Sequence, residues 1–270
     1  MGNCEGTPQN RTLNDPPIYP KNFLNTNRGI PNMLFKKVKK TICKIIIKNI
    51  FNGTGFFMNF PGSQKFLITN NHIISENKIN ENIEIEIYNK KKMALNFNNR
   101  QIKFFPKPKD ITIIEIKNSD EIYNDISFLV YDSYYTKNYK YYKDAEIFSL
   151  YFSKEGEILF GTGKIILTAD FEFDYTYQND KDCDGGPILL FNDNINLIRV
   201  MGIYKESKPL YNLSTGTFIG EIFNNEINGL NRSSNHISMK TTNNEKYIPY
   251  SCITGLEQND LSFPSQLTQE

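Results

Sequence analysis

Short apolar segments rich in β-branched residues recur along most of this chain, and they constrain its fold more than any other feature of the sequence. Turns containing Gly, Pro or Asn separate the segments, and the segment 83–87 alternates strictly between Ile and Glu, as a half-buried strand does. We predict the other strands at 42–50, 53–57, 66–68, 111–116, 128–130, 147–152, 158–167, 188–191, 197–203 and 217–222. A helix is expected only at 31–40. The pattern predicts an all-β protein, built as a barrel or a sandwich.

The composition excludes several classes of function. The chain has 270 residues, 39% of them hydrophobic, which is enough for one large domain or two lobes. Lys+Arg number 31 and Asp+Glu number 30, so no general field attracts nucleic acid, and no nucleic-acid partner is expected. The four cysteines show no zinc-ligand spacing and no disulfide framework, so we expect neither a metal nor a cofactor. Without an apolar run of signal or membrane-span length, the sequence predicts a cytoplasmic monomer.

The N-terminus carries two potential acylation sites. Gly2 stands where N-myristoylation requires a glycine, and Cys4 is positioned for palmitoylation. Two acyl chains are what stable membrane anchoring requires. The motif asks for Ser or Thr at the sixth position, where this chain has Gly6. Two interpretations of the N-terminus therefore remain open, an acylated segment that associates with a membrane and a tail without acylation.

Three polar positions at the ends of predicted strands suggest a catalytic constellation. His72 follows the apolar strand 66–68, and Asp110 opens the strand 111–116. Asp184 stands immediately before the turn Gly185-Gly186-Pro187, which leads into the strand 188–191. A histidine, then an aspartate, then a nucleophile position is the order found in chymotrypsin-type enzymes. The other histidine, His236, lies in a polar stretch, and we interpret it as a surface residue.

These motifs together resemble the trypsin-like peptidase domains of the chymotrypsin superfamily, the PA clan, and in particular their intracellular eukaryotic branch. The matching segments are Gly-Thr-Gly-Phe-Phe, Leu-Ile-Thr-Asn-Asn-His, Asp-Ile-Thr-Ile-Ile and Gly-Gly-Pro-Ile, at 53–57, 67–72, 110–114 and 185–188. The resemblance spans about residues 35–222. It implies two antiparallel β-barrels with an active-site cleft between them, and a peptide or protein as the ligand. The walls of a specificity pocket would lie near 175–181 and 204–208.

This resemblance also implies a domain organisation. A flexible tail would occupy 1–34, and the first barrel 35–132. A tyrosine- and lysine-rich linker would follow at 133–145, and the second barrel at 146–222. The remainder, 223–270, would be a polar C-terminal extension.

The chain departs from the family at the nucleophile. The family has Gly-Xaa-Ser before Gly-Gly-Pro, whereas this chain has Asp182-Cys183-Asp184. Removing the serine of a comparable triad costs on the order of a millionfold in kcat. Asp182 and Asp184 also take the positions whose backbone N–H groups would form the oxyanion hole, and Asp182 replaces the conformationally free glycine there. We therefore expect a pseudoprotease that binds extended peptide without cleaving it.

Two alternatives remain open. If the turn shifts by one residue, Cys183 becomes the nucleophile of an active endopeptidase together with His72 and Asp110, because a thiolate is activated by the same imidazole. In the other alternative the barrels are a rigid body, and the acylated N-terminus makes the protein a membrane-anchored scaffold.

Overall fold

The computed structural model describes residues 35–36, 38–60, 64–132, 142–177, 184–192 and 197–222. The expected tail, most of the expected linker and the C-terminal extension lie outside these ranges. So do several of the predicted site residues, namely Gly2, Cys4, Asp182 and Cys183, together with His236.

The described part of the chain is all-β, with helices of only a few residues. The first eight strands are β1 (Ile42–Ile47), β2 (Ile50–Asn59), β3 (Lys65–Thr69), β4 (Ile83–Ile87), β5 (Lys92–Ala94), β6 (Ile102–Phe105), β7 (Ile111–Glu115) and β8 (Leu129–Tyr131). The remaining six are β9 (Glu146–Phe152), β10 (Ile158–Ala169), β11 (Glu172–Tyr177), β12 (Pro187–Asn192), β13 (Leu197–Lys208) and β14 (Leu213–Phe218). Turns of 3-10 helix occupy Lys39–Thr41, Glu76–Lys78 and Pro209–Tyr211, and a short α-helix occupies Ile219–Ile222.

Six antiparallel strands close into a barrel. Their order is β12-β9-β10-β11-β14-β13, and the ring closes because β13 also pairs with β12. The barrel encloses an aromatic-rich core that includes Tyr151, Phe173, Tyr175 and Phe218. The prediction of an all-β barrel protein is therefore confirmed.

The N-terminal strands form a second, curved set. Their order is β6-β7-β3-β2-β1-β4-β5, and no strand pairing joins β6 to β5 among the described residues. Alternate residues of β4, Ile83, Ile85 and Ile87, are buried in a core shared with Phe57 and Leu67, whereas Glu84 and Glu86 are only partly buried. The strict alternation seen in the sequence thus places the apolar face of β4 inward.

One three-residue strand connects the two sets. β8 pairs in parallel with β2 through Met58 and Leu129, and also in parallel with β13 through Arg199 and Val130. The backbone N–H of Asp132 extends this contact by donating to the carbonyl of residue 200 at 2.8 Å. All fourteen strands therefore belong to one hydrogen-bonded sheet.

The structure corrects the prediction at the end of the barrel. The strand predicted at 217–222 runs instead from Leu213 to Phe218 and gives way to the helix Ile219–Ile222. Ile219 and Ile222 are both fully buried, and a spacing of three residues places them on one helical face. The apolar residues here follow a helical period, which a short apolar run does not distinguish from a strand.

Near the N-terminal end, residues 35, 36 and 38 are helical, and the 3-10 turn Lys39–Thr41 follows them. None of the helices in the described part of the chain has both the length and the apolar character needed to cross a membrane.

Candidate functional site

Strand pairing brings His72 and Asp110 together. The strands β3 and β7 are antiparallel neighbours, with Thr69 opposite Thr112, so the residues that follow β3 lie beside those that precede β7. The Nδ1 of His72 lies 2.7 Å from Oδ2 of Asp110, and the backbone N–H of His72 donates to Oδ1 at 2.9 Å. Asp110 is 2% exposed. Two hydrogen bonds to one buried carboxylate therefore fix the orientation of the imidazole.

The turn that begins at Asp184 is held against β2. The backbone N–H of Thr54 donates to the carbonyl of Asp184 at 2.8 Å. The next residue, Gly185, has φ of 77°, and a Cβ there would collide with the carbonyl oxygen of Thr54 and lie 2.7 Å from Oγ1 of Thr69. Only glycine fits this backbone conformation and this close approach. These contacts hold the turn, and with it Asp184, close to the end of β3 that leads to His72.

Asp184 lies on the side of the imidazole opposite Asp110. Its Oδ2 is 3.7 Å from Nε2 of His72. The side chains of His72 and Asp184 are 39% and 43% exposed, so this contact is open to solvent, unlike the contact with Asp110. An imidazole between two carboxylates is the central feature of the site.

The two carboxylates set the protonation of the imidazole. Burial by itself lowers the pKa of His72, but the hydrogen bonds and charges of Asp110 and Asp184 outweigh that effect and raise the pKa to about 9. At neutral pH His72 is therefore an imidazolium. In this form both ring nitrogens carry protons, and the ring has no lone pair with which to act as a general base.

Asn70 is a residue of the candidate site that the sequence analysis did not single out. It is fully buried, and its Nδ2 donates to the carbonyl of Asp110 at 3.0 Å and to that of Tyr204 at 2.9 Å. Tyr204 in turn donates its backbone N–H to the carbonyl of Gly186, two residues beyond Asp184. The side-chain amide of Asn70 therefore joins the loop that contains Asp110 to strand β13 of the closed barrel. The only sequence feature that could have indicated this role is the position of Asn70 directly after an apolar strand.

The remaining predicted residues do not add to this site. Cys183, the alternative nucleophile, and Asp182, at the oxyanion position, lie outside the described residues. Cys43 is a free, fully buried thiol in the first set of strands, and burial raises its pKa far above the ordinary value. Such a thiol is unreactive. Within the ranges described, no group of three or more His, Cys, Asp or Glu residues is placed to hold a metal ion.

A cavity of about 490 Å³ lies elsewhere, on the first set of strands. Its charged side chains already have partners, since Lys65 donates to the Tyr123 hydroxyl, Lys117 donates to a backbone carbonyl, and Glu115 accepts from a backbone N–H. They do not converge on one point, whereas Asp110 and Asp184 converge on His72. We therefore assign the candidate site to His72, Asp110 and Asp184.

The fold and the site together define an all-β barrel protein with an imidazole between two carboxylates. No family model matches this chain, and no curated protein sequence matches it. Among solved structures, the chain is similar to one whose description reads: aromatic interactions drive the coupled folding and binding of the intrinsically disordered Sesbania mosaic virus VPg protein. The TM-score is 0.51 at 13% sequence identity, over 70% of this chain and 90% of that one. At this identity the similarity shows the fold alone.

Proposed function

We propose that this protein is a chymotrypsin-type peptidase homologue that binds extended peptides in a cleft and does not hydrolyse them. The observation that carries the proposal is the row of Asp110, His72 and Asp184, with Asp184 where such a peptidase has its nucleophile. Under this proposal the closed barrel is the second barrel. The seven strands from β6 to β5 are the first barrel, open between those two strands.

The geometry argues against hydrolysis for three physical reasons. A carboxylate that attacked a peptide would form an anhydride, which reverses faster than it proceeds. His72 is protonated at neutral pH, so it cannot accept the proton that a general base removes. A carboxylate about 4 Å from a developing oxyanion opposes it by roughly 4 kcal/mol at an effective dielectric constant near 20.

Strand β13 offers an edge to which a peptide can add. From Leu197 to Ile203 one side of it pairs with β12, and from Gly202 to Lys208 it pairs with β14, so beyond Tyr204 the described strands pair with it only through β14. Glu206 and Ser207 are exposed on this stretch. This stretch of β13 begins directly after Tyr204, whose backbone is hydrogen-bonded to Asn70 and to Gly186 beside the site. A peptide added to this edge would pass beside His72 and Asp184.

Photo-crosslinking tests the binding. We place the photoreactive amino acid p-benzoylphenylalanine at Ser207 and, as a matched control, at Ile50, which is 66% exposed on the first set of strands. The probe is a fluorescein-labelled mixture of casein peptides. We expect labelling at Ser207 and none at Ile50, with all peptide masses unchanged after prolonged incubation. Equal labelling at the two positions refutes the binding cleft, and new peptide termini refute the absence of hydrolysis.

A thiol-directed peptidyl vinyl sulfone tests the endopeptidase alternative separately. If Cys183 were the nucleophile, the probe would label it and the labelling would disappear in His72→Ala. We expect no labelling that depends on His72.

A further inference from the structure

The helical turn that precedes β1 has an apolar side and a basic side. Val38 is 2% exposed, and Phe35, three residues earlier, packs partly buried against the same core. Three lysines occupy the spacing i, i+3 and i+4, which places them together on another side of the turn: Lys36, Lys39 and Lys40. Lys36 is exposed, and the other two are partly exposed. The packing of Phe35 and Val38 thus keeps the three lysines on the solvent side.

The hairpin between β4 and β5 brings further lysines to the same place. The Nζ atoms of Lys39 and Lys40 lie over the ring of Tyr88, 5.1 Å and 5.7 Å from its centre. Tyr88 directly follows β4, and the turn after it contains Lys90 and Lys91. A cation over an aromatic ring is attracted by the ring, so Tyr88 joins the two turns. We call their lysines the basic face: Lys36, Lys39, Lys40, Lys90, Lys91 and Lys92.

Most of the basic face carries uncompensated charge. Lys91 pairs with Asp125 at 2.7 Å, and Lys92 lies 3.7 Å from Oε2 of Glu86. The other four lysines have no carboxylate partner among the described residues. Two of them also converge on the ring of Tyr88, where their like charges repel each other. The basic face is therefore an excess of positive charge on a chain whose net charge is only +1.

Two observations favour a bilayer as the source of the missing negative charge. Tyrosine and lysine are both suited to the headgroup level of a membrane, where an apolar stem or ring meets a polar end. The acylation motif predicted at Gly2 lies upstream in the sequence, and a single acyl chain needs a second signal, such as a basic patch, for stable anchoring. The basic face and the motif therefore agree on one partner.

We propose that the basic face binds the surface of a bilayer that contains anionic lipids. Each unpaired lysine contributes about fivefold to the affinity, which corresponds to about 1 kcal/mol. The pair of Lys91 and Asp125 is open to solvent, with side chains 41% and 36% exposed, so Lys91 is free to exchange its carboxylate for a lipid phosphate. Binding through this face does not require a peptide beside His72, so the two proposed functions are independent.

Vesicle sedimentation tests the proposal. The full chain, produced without acylation, is mixed at low ionic strength with vesicles of phosphatidylcholine alone, or with vesicles in which about a third of the lipid is phosphatidylserine. We expect binding only to the vesicles with phosphatidylserine, and release when salt is added. Lys39→Gln/Lys40→Gln/Lys90→Asn should weaken binding about 100-fold, because three unpaired lysines are lost. Asparagine tolerates the left-handed φ of 65° at position 90.

Lys143→Gln/Lys154→Gln/Lys164→Gln is the matched control. It removes the same charge from three exposed lysines outside the basic face, so it should weaken binding by less than about threefold. If the first variant has a lowered Tm, Lys90→Glu alone replaces it, because Lys90 is exposed in a turn. That reversal should weaken binding about 25-fold, since it removes one positive charge and adds a negative one.

Four results would overturn the proposal. The first is no binding of the wild type to either kind of vesicle, and the second is equal binding to both. The third is an equal loss in the control variant, which would show that net charge matters and the basic face does not. The last is tighter binding of a single-stranded oligonucleotide with the same dependence on the three lysines, which would identify the partner as nucleic acid. None of these results bears on peptide crosslinking at Ser207.

Discussion

The Nε2 of His72 lies 3.7 Å from Oδ2 of Asp184, while the Nδ1 of the same ring contacts Asp110 at 2.7 Å. The contact with Asp110 orients the ring, and the contact with Asp184 places a second negative charge on its other side. Together the two carboxylates raise the pKa of His72, so the imidazole keeps its proton at neutral pH. The structure leads to four predictions.

The first prediction concerns the pKa of His72. It is about 9 in the wild type, and Asp184→Asn should lower it by about 1 unit, because the substitution removes one neighbouring negative charge. Asp110→Asn should lower it as well, and asparagine also tolerates the left-handed φ of 55° at that position. NMR titration of the histidine Cε1–H resonances measures both effects, with His236 as an internal reference. A wild-type His72 that titrates near 6.5 would contradict the carboxylate contacts.

The second prediction concerns the pH dependence of stability. The folded protein holds the His72 proton more tightly than the unfolded chain, whose pKa is near 6.5. The resulting stabilisation is therefore fully present below pH 6.5 and is lost as the pH rises through about 9. The pKa difference corresponds to about 3 kcal/mol, and because the His72 side chain is 39% exposed, screening reduces the expected effect to about 1 kcal/mol.

Urea unfolding of the wild type and of Asp110→Asn/Asp184→Asn between pH 6 and 9.5 isolates this contribution. The difference in unfolding free energy between the two proteins should shrink as the pH rises. A difference that grows with pH would rule out a raised pKa.

The third prediction concerns the turn at Gly185. Gly185→Ala should destabilise the protein by about 3 kcal/mol, because the new Cβ has a strained φ and meets the backbone carbonyl of Thr54. Gly156→Ala is the matched control, since Gly156 also has a positive φ, of 89°, but a Cβ there meets only the end of the flexible Lys44 side chain. The control should cost about 1 kcal/mol. Equal losses in chemical unfolding would show that the contact with Thr54 contributes nothing.

The fourth prediction concerns Asn70. Asn70→Ala should cost about 2–3 kcal/mol, because it removes two hydrogen bonds and leaves two buried carbonyl groups without that donor. Asn71→Ala should cost about 1 kcal/mol or less, since Asn71 makes one hydrogen bond, to Thr112, and is only partly buried. Comparing the unfolding free energies of the two variants checks this. A larger loss for Asn71→Ala would refute the bridging role of Asn70.

Local pattern was enough to predict most of the strands, whereas the approach of His72 to Asp110 was expected from the resemblance to the chymotrypsin superfamily. Both residues sit at the ends of apolar segments, and antiparallel pairing of β3 with β7 joins those ends. Asp184 was placed by the Gly-Gly-Pro turn, whose backbone conformation only glycine allows. In each case a few adjacent residues carry the information.

The features that escaped prediction depend on partners distant in sequence. Strand β11, Glu-Phe-Asp-Tyr-Thr-Tyr, is an exception: its alternation of polar and aromatic residues does indicate a strand, although it was not among the predicted segments. The pairing of Lys205 with Glu172 joins residues 33 apart, and it depends on which faces of β11 and β13 point outward. Likewise, the sequence does not tell which member of Thr69-Asn70-Asn71 turns towards Tyr204. Only the three-dimensional register decides these contacts.

Strand β8, three residues long, is joined by backbone hydrogen bonds to β2 on one side and to β13 on the other. A hinge motion between the two sets of strands at β8 would have to break those hydrogen bonds. Under the proposed peptide-binding function, the cleft would therefore keep a constant width, and a peptide would enter along the edge of β13 without any domain movement.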